Sequence, residues 1–155
     1  MYYMKRPLMD SELCLACIWI LTLGSIMQLF EKFLIQVDVE RRLAVPTGTF
    51  RDHFELPRDR HYVDLLVKDS TGKVWTFRCS SRQTGNHPKP VFSAGWLDFV
   101  RIKGLQINDQ VVFHKRRDDA SEAEFKIEVK RRISSLMGKD IWVDVEQVGY
   151  YRSGN

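Results

Sequence analysis

The reading of this chain is decided by residues 73–113, KVWTFRCSSRQTGNHPKPVFSAGWLDFVRIKGLQINDQVVF. Trp75, Phe77 and Cys79 share one side of a period-two run and Thr76 and Arg78 the other, which predicts a half-buried strand. The stretch Ser80 to Lys89 then carries no carboxylate and no large apolar side chain. It holds Arg82, His87 and Lys89 among Ser80, Ser81, Gln83, Thr84 and Asn86. A positive loop rich in hydrogen-bonding side chains suits phosphate oxygens and base edges. Gly95 opens a short helix in which Trp96, Phe99 and Val100 share a face, and Gly104 is placed to end it in a left-handed cap. Asn108-Asp109 makes a turn, and Val111 and Phe113 point inward on a further strand. The layout is strand, basic loop, strand, helix, strand.

Upstream, Leu29 to Ile35 reads as a first strand and Leu43-Ala44-Val45 as a second, with the polar stretch Gln36–Arg42 between them. Thr47 is placed to cap a short helix running to Phe54. In Tyr62–Lys68, Val63, Leu65 and Val67 alternate against Tyr62, Asp64, Leu66 and Lys68; the turn Asp69–Gly72 makes this run and Val74–Cys79 a hairpin. Downstream, Asp118–Glu124 is an acidic loop, and Phe125, Ile127 and Val129 alternate inward on a last strand. Ile141–Val145 is a short apolar run that adds an edge strand or packs loosely.

The chain of 155 residues divides into an apolar N-terminal extension (1–27), a barrel domain (28–132) and a C-terminal tail (133–155). Of the net charge of +4, residues 28–117 hold 16 basic and 10 acidic side chains, a balance of +6. A basic central domain is compatible with nucleic acid. Three cysteines, an odd number, make no disulfide framework. Leu13–Met27 is shorter than the roughly 20 residues a membrane helix needs. A membrane is therefore not expected as a partner, although a tethered variant would rest on this segment. Cys14 and Cys17 form a C-x-x-C without a second pair, which is a weak metal or redox signal.

Several motifs in register are similar to the plant B3 DNA-binding domain. They are Gly72–Arg78, Gly95–Val100, Lys103-Gly104-Leu105 and Asn108–Phe113. Upstream, Leu29–Lys32, Asp38-Val39, Arg42–Pro46 and His53-Phe54 follow the family in the same order. Strand count and order point to a mainly β fold, and the resemblance implies an open pseudobarrel of about seven strands with two short helices. It also implies two arms entering the DNA major groove, here Asp38–Arg42 and Ser80–Lys89.

The expected partner is double-stranded DNA, and the expected role is nuclear regulation of transcription in a plant, with other transcription regulators as further partners. Arg82 lies where family members such as auxin response factors carry a base-reading arginine, and its fork suits a guanine edge. Gln83 suits adenine. Arg41 and Arg42 suit phosphate, as do Arg78, Ser80, Ser81 and Lys89, with Thr84 and Asn86 completing the second arm. The first arm is shorter than in familiar members and the second lacks their Trp-Asn pair. The alternative reading is thus a B3-like barrel without specific DNA reading that serves protein interaction. No enzyme is expected: His53, His61, His87 and His114 are scattered, and no Gly-rich phosphate loop or nucleophile elbow is present. Neither a cofactor, a metal nor a small-molecule substrate is implied.

Overall fold

The computed structural model describes residues 26–82, 89–117 and 122–146, with Arg82 described by its backbone alone. The strands are β1 (Ile26–Phe33), β2 (Leu43–Ala44), β3 (Tyr62–Lys68), β4 (Val74–Arg82), β5 (Lys89–Phe92), β6 (Gln110–Arg116), β7 (Phe125–Leu136) and β8 (Lys139–Asp144). The helices are α1 (Gln36–Glu40), α2 (Thr47–His53) and α3 (Trp96–Lys103). One curled sheet runs β1-β6-β7-β3-β4-β5-β2, with β8 added on β7. All pairings are antiparallel except β3 with β7, which meet in parallel at Val67–Phe125 and Lys68–Lys126. The fold is mainly β and its sheet is an open half-barrel, as the sequence indicated.

Period-two alternation explains which side of the sheet is filled. Trp75, Phe77 and Cys79 of β4, Leu65 and Val67 of β3 and Phe125, Ile127 and Val129 of β7 are buried. Phe113 lies at the centre, with ring centroids 5.3 Å from Phe92, 5.4 Å from Phe30 and 5.6 Å from Phe125. Helix α3 closes one side by setting Phe99 on Trp75 and both Trp96 and Phe99 on Phe77, with Val100 buried on the same face expected from their spacing. Each of these aromatics buried against water contributes roughly 1.5–3 kcal/mol. Gly95 enters the helix at φ +81°, and a Cβ there would run into the Thr76 carbonyl, so glycine is required for this approach. Gly104 ends the helix at φ +61°.

The boundaries differ from the sequence reading in four places. First, β1 begins at Ile26 and ends at Phe33 rather than spanning Leu29–Ile35, because Ile26 and Met27 pair with Arg116 and Lys115. Second, a third helix, α1, forms in the stretch taken as a polar arm; the Asp38 carboxylate accepts the Ile35 N–H at 3.0 Å and so caps its first turn. Third, Thr47 is the first residue of α2 and Pro46 holds the cap position, without a side-chain bond. Fourth, β4 runs on to Arg82 and β5 starts at Lys89, so both ends of the second arm are strand.

Beyond Val129, β7 continues to Leu136 and pairs with β8. Val145 packs on the core, and Glu146 forms an ion pair with Lys103. The segment taken as a tail thus begins with ordered pairing. Among the described residues no helix is long and apolar enough to cross a membrane.

Candidate nucleic-acid interface

Residues of like parity on neighbouring strands lie on the same side of a sheet, so the registers of β3, β4, β5 and β2 define rows across its outer side. One row is Tyr62–Ser80–Val91–Ala44. The next pairs Asp64 with Arg78 and continues through Ser93, which follows β5, to Arg42, which precedes β2. At the other end Arg82 pairs with Lys89, beside the turn that carries Arg60. Because the inner parity is spent on Phe77, Cys79 and Phe92, the charged residues are left on the outside. Among the described residues Asp64 is the one carboxylate on this side of the paired strands, and Asp59 lies in the turn before Arg60.

Arg78 is held on two sides. Its Nε and Nη2 donate to Asp64 Oδ1 and Oδ2 at 2.8 and 3.0 Å, and its guanidinium lies 4.2 Å from the centre of the Tyr62 ring. The pair is half-exposed. Hydrogen bonding from Arg78 holds the Asp64 carboxyl below the usual range against the opposing effect of burial, with the charges of Arg78 and Arg60 adding to the lowering. Arg60 also lies over the Tyr62 ring, its guanidinium carbon 5.7 Å from the ring centre.

Of the other sequence-predicted residues, Arg41, Arg42 and Lys89 are exposed. The hydroxyl of Ser80 is 3.4 Å from that of Ser93. Ser81 departs from the expectation of a surface phosphate contact. Its side chain faces inward at 9% exposure, and it pairs with Pro90, because β4 continues alternating through it. Arg82 continues the parity of Arg78 and Ser80, with its side chain outside the described part. Gln83, Thr84 and Asn86 lie outside the described residues, as do Cys14 and Cys17. Sequence reasoning missed Tyr62, Asp64 and Ser93. The signal was available in the alternation of β3, which puts Tyr62 and Asp64 on the polar side directly opposite Ser80 and Arg78.

The first arm is buttressed from below. Asp38 is 1% exposed, so it is not a surface element of the arm as expected. Its carboxylate accepts Lys32 Nζ at 2.7 Å, the Ile35 N–H at 3.0 Å and the Ala44 N–H at 3.4 Å. Its carbonyl accepts the indole N–H of Trp96 at 2.6 Å. Arg41 and Arg42 therefore leave a helix end that is fixed to the core. The N–H groups of both residues bond to the Val37 carbonyl, at 3.0 and 3.1 Å.

At the far end of the β3–β4 hairpin, Asp69 accepts Thr71 Oγ1 at 2.6 Å, Lys103 Nζ at 2.7 Å and Trp75 Nε1 at 2.8 Å. Burial raises its pKa, but these donors outweigh it and bring the carboxyl to about 2. Burial pushes the Cys79 thiol up to about 12, so it is not a nucleophile. No group of three metal-ligating side chains occurs among the described residues. The basic run 130–132 is largely structural: Arg131 forks onto Asp109 at 2.7–2.8 Å, and Arg132 lies 3.5 Å from Asp140.

The B3 DNA-binding domain family model matches residues 30–133. A B3 domain-containing protein of Arabidopsis thaliana is 33% identical over 125 residues, covering 76% of this chain and 50% of its own. A rice (Oryza sativa subsp. japonica) B3 domain-containing protein is 41% identical over 90 residues, 55% of this chain and 46% of its own. The chain thus spans half or less of the length of these relatives. The Arabidopsis FUS3–DNA complex superposes with a TM-score of 0.58 at 27% identity, covering 70% of this chain and all of that one. With the motif order, the open sheet and the family match in agreement, the chain belongs to the B3 DNA-binding domain family.

Proposed function

We infer that this protein binds double-stranded DNA sequence-specifically and acts in the nucleus as a regulator of transcription. The observation that carries the reading is the outer side of β3–β4–β5–β2. There the exposed Arg42 and Lys89 and the half-buried Arg78 stand against Asp64, the one carboxylate on this side of the paired strands among the described residues, and the backbone of Arg82 pairs with Lys89. Such a surface attracts phosphate. Arg41 and Arg42 hold the backbone from the first arm, Arg78, Ser80 and Lys89 hold it from the sheet, and Arg82 and Gln83 read base edges in the major groove. Thr84 and Asn86 supply further donors within the same connection. Two likenesses support the reading: the DNA complex of FUS3, and a relative named as a transcription repressor, TEM1 of Arabidopsis thaliana, 33% identical over 99 residues.

Selection of bound sites from a random duplex pool tests the proposal. A recovered consensus is expected, bound at least a hundredfold more tightly than bulk sequence, a modest ratio for a specific binder. Recovery of no consensus would favour the second reading, a protein-interaction module. That reading has one observation on its side, the exposed Phe33 and Ile107 beside Trp142 around a shallow groove of about 520 Å³.

A further inference from the structure

Among the rows of the basic sheet side, the row containing Asp64 is unusual because it spends one arginine on a carboxylate. Arg78 gives its Nε and one Nη2 hydrogen to Asp64, at 2.8 and 3.0 Å, and lays its plane on Tyr62. A guanidinium has five N–H groups in a rigid fork. Three of them are left over, and their direction is set by the carboxylate on one side and the ring beneath. The formal charge of Arg78 is meanwhile cancelled at close range.

These two facts act differently on loosely and correctly docked DNA. A phosphate passing at arbitrary position meets a neutral ion pair and gains little, since it is the logarithm of the sequence-independent affinity that grows with each phosphate neutralised. A phosphate seated where the three N–H groups point gains directed hydrogen bonds. It also meets Ser80 and Ser93, whose hydroxyls are 3.4 Å apart on the adjoining strands. A specificity ratio is a difference between two affinities, and it can be widened by weakening the wrong complex.

We propose that Asp64, together with Tyr62, is a specificity-determining pair that restrains Arg78, suppressing sequence-independent binding while aiming the guanidinium at one phosphate of the cognate complex. This rests on the reading of the sheet side as the DNA-binding surface. Asp64 touches Arg78, and Tyr62 packs beneath it, so the pair works through the arginine as positioning residues. Two further observations fit. Arg60 also lies over the Tyr62 ring, at 5.7 Å, so the ring organises two cations. Among the described residues no other carboxylate stands on this side of the paired strands to neutralise Arg42 or Lys89 in the same way.

The test compares wild type with Asp64→Asn and Tyr62→Leu, both at half-exposed or exposed positions, on a selected duplex and on a scrambled duplex of equal length. Binding is measured between 50 and 300 mM salt. For Asp64→Asn, scrambled-duplex affinity should rise about 3–8-fold near 0.1 M salt, and its slope of log K against log salt should steepen by about 0.9, the value for one more phosphate. Affinity for the selected duplex should change less than scrambled affinity does, so the ratio falls. For Tyr62→Leu the salt slope should stay the same, because no charge changes, while selected-duplex affinity falls and scrambled affinity holds. An equal rise on both duplexes in Asp64→Asn would make the carboxylate a plain charge and overturn the inference, as would an unchanged scrambled affinity. A wild-type protein that binds both duplexes alike would instead refute the sequence-specific reading beneath it, an outcome readable before either variant is made.

Discussion

Asp38→Ala is the substitution that most directly separates a surface arm from a built one. The wild-type carboxylate is 1% exposed and accepts three donors, at 2.7, 3.0 and 3.4 Å. Truncation leaves the Ile35 N–H uncapped at the start of α1, at a cost of about 1–2 kcal/mol, the value of a lost helix cap. The Ala44 N–H, bonded at the longer distance, adds up to about 1 kcal/mol. Lys32 has 26% of its side chain exposed, so its ammonium can turn to water and adds little. The total is about 2–3 kcal/mol, a sizeable part of the roughly 5–15 kcal/mol that holds a domain together.

Urea unfolding followed by tryptophan fluorescence should therefore show a lower midpoint with an unchanged m-value. Thermal unfolding should fall by roughly 8–15 °C, taking a few degrees per kcal/mol for a domain of this size. Asp38→Asn, which keeps an acceptor for the Ile35 N–H, should recover about half of the loss. A midpoint shift equivalent to less than about 0.5 kcal/mol for Asp38→Ala would refute the argument, since it would mean that water replaces all three donors' partner at no cost.

Three further outcomes are expected. Arg82→Ala should cost roughly 1–3 kcal/mol on the selected site and relax selectivity at one base pair, whereas Lys89→Ala should weaken all sequences alike and lower the salt slope by about 0.9; competition over single-base variants at two salt concentrations checks both. Asp69 has its folded pKa depressed from 3.8 to about 2, so its contribution is present above pH 4 and is lost as pH falls toward 2. A set of urea midpoints from pH 7 to pH 2 should show that acid loss in wild type, on the order of 2 kcal/mol, and a flatter profile in Asp69→Asn. Gly95→Ala should destabilise by about 3 kcal/mol or more, because it adds left-handed strain to a collision with the Thr76 carbonyl, and a melting temperature near that of wild type would contradict it.

Where side-chain periodicity alone decides, the sequence was sufficient. The inward set of β3, β4 and β7 and the buried face of α3 follow from alternation and from i, i+3, i+4 spacing, and all but the partly buried Val63 are buried as read. Strand ends were not legible, because pairing and not propensity sets them. Ile26 joins β1 only because Arg116 lies opposite it, and Ser81 joins β4 only because Pro90 does. Helix α1 was missed because five residues of QVDVE carry no helical period long enough to detect. The helix exists through one buried carboxylate whose partners are six residues away in either direction, at Lys32 and Ala44. For the site, cations were legible one by one, but the clamp on Arg78 required knowing that Asp64 stands opposite it across a hairpin.

Trp96 connects these levels. Its indole N–H holds the Asp38 carbonyl, and through it the end of α1 from which Arg41 and Arg42 project. Its ring meets Phe77 edge-on at 5.8 Å, and Phe77 is one residue from Arg78 on the strand that leads to Arg82. One fully buried side chain on a single turn of α3 thus sets both where the first arm leaves the core and where the second begins. Phosphates along a duplex stand at fixed intervals, so two groups of cations can neutralise them together only if their separation is fixed as well. Contacts made by elements that are themselves locked in place lose less freedom on binding than contacts made by free loops. Under the proposed reading, a first arm tied down by Asp38 and Trp96 places Arg41 and Arg42 by rigidity instead of by reach.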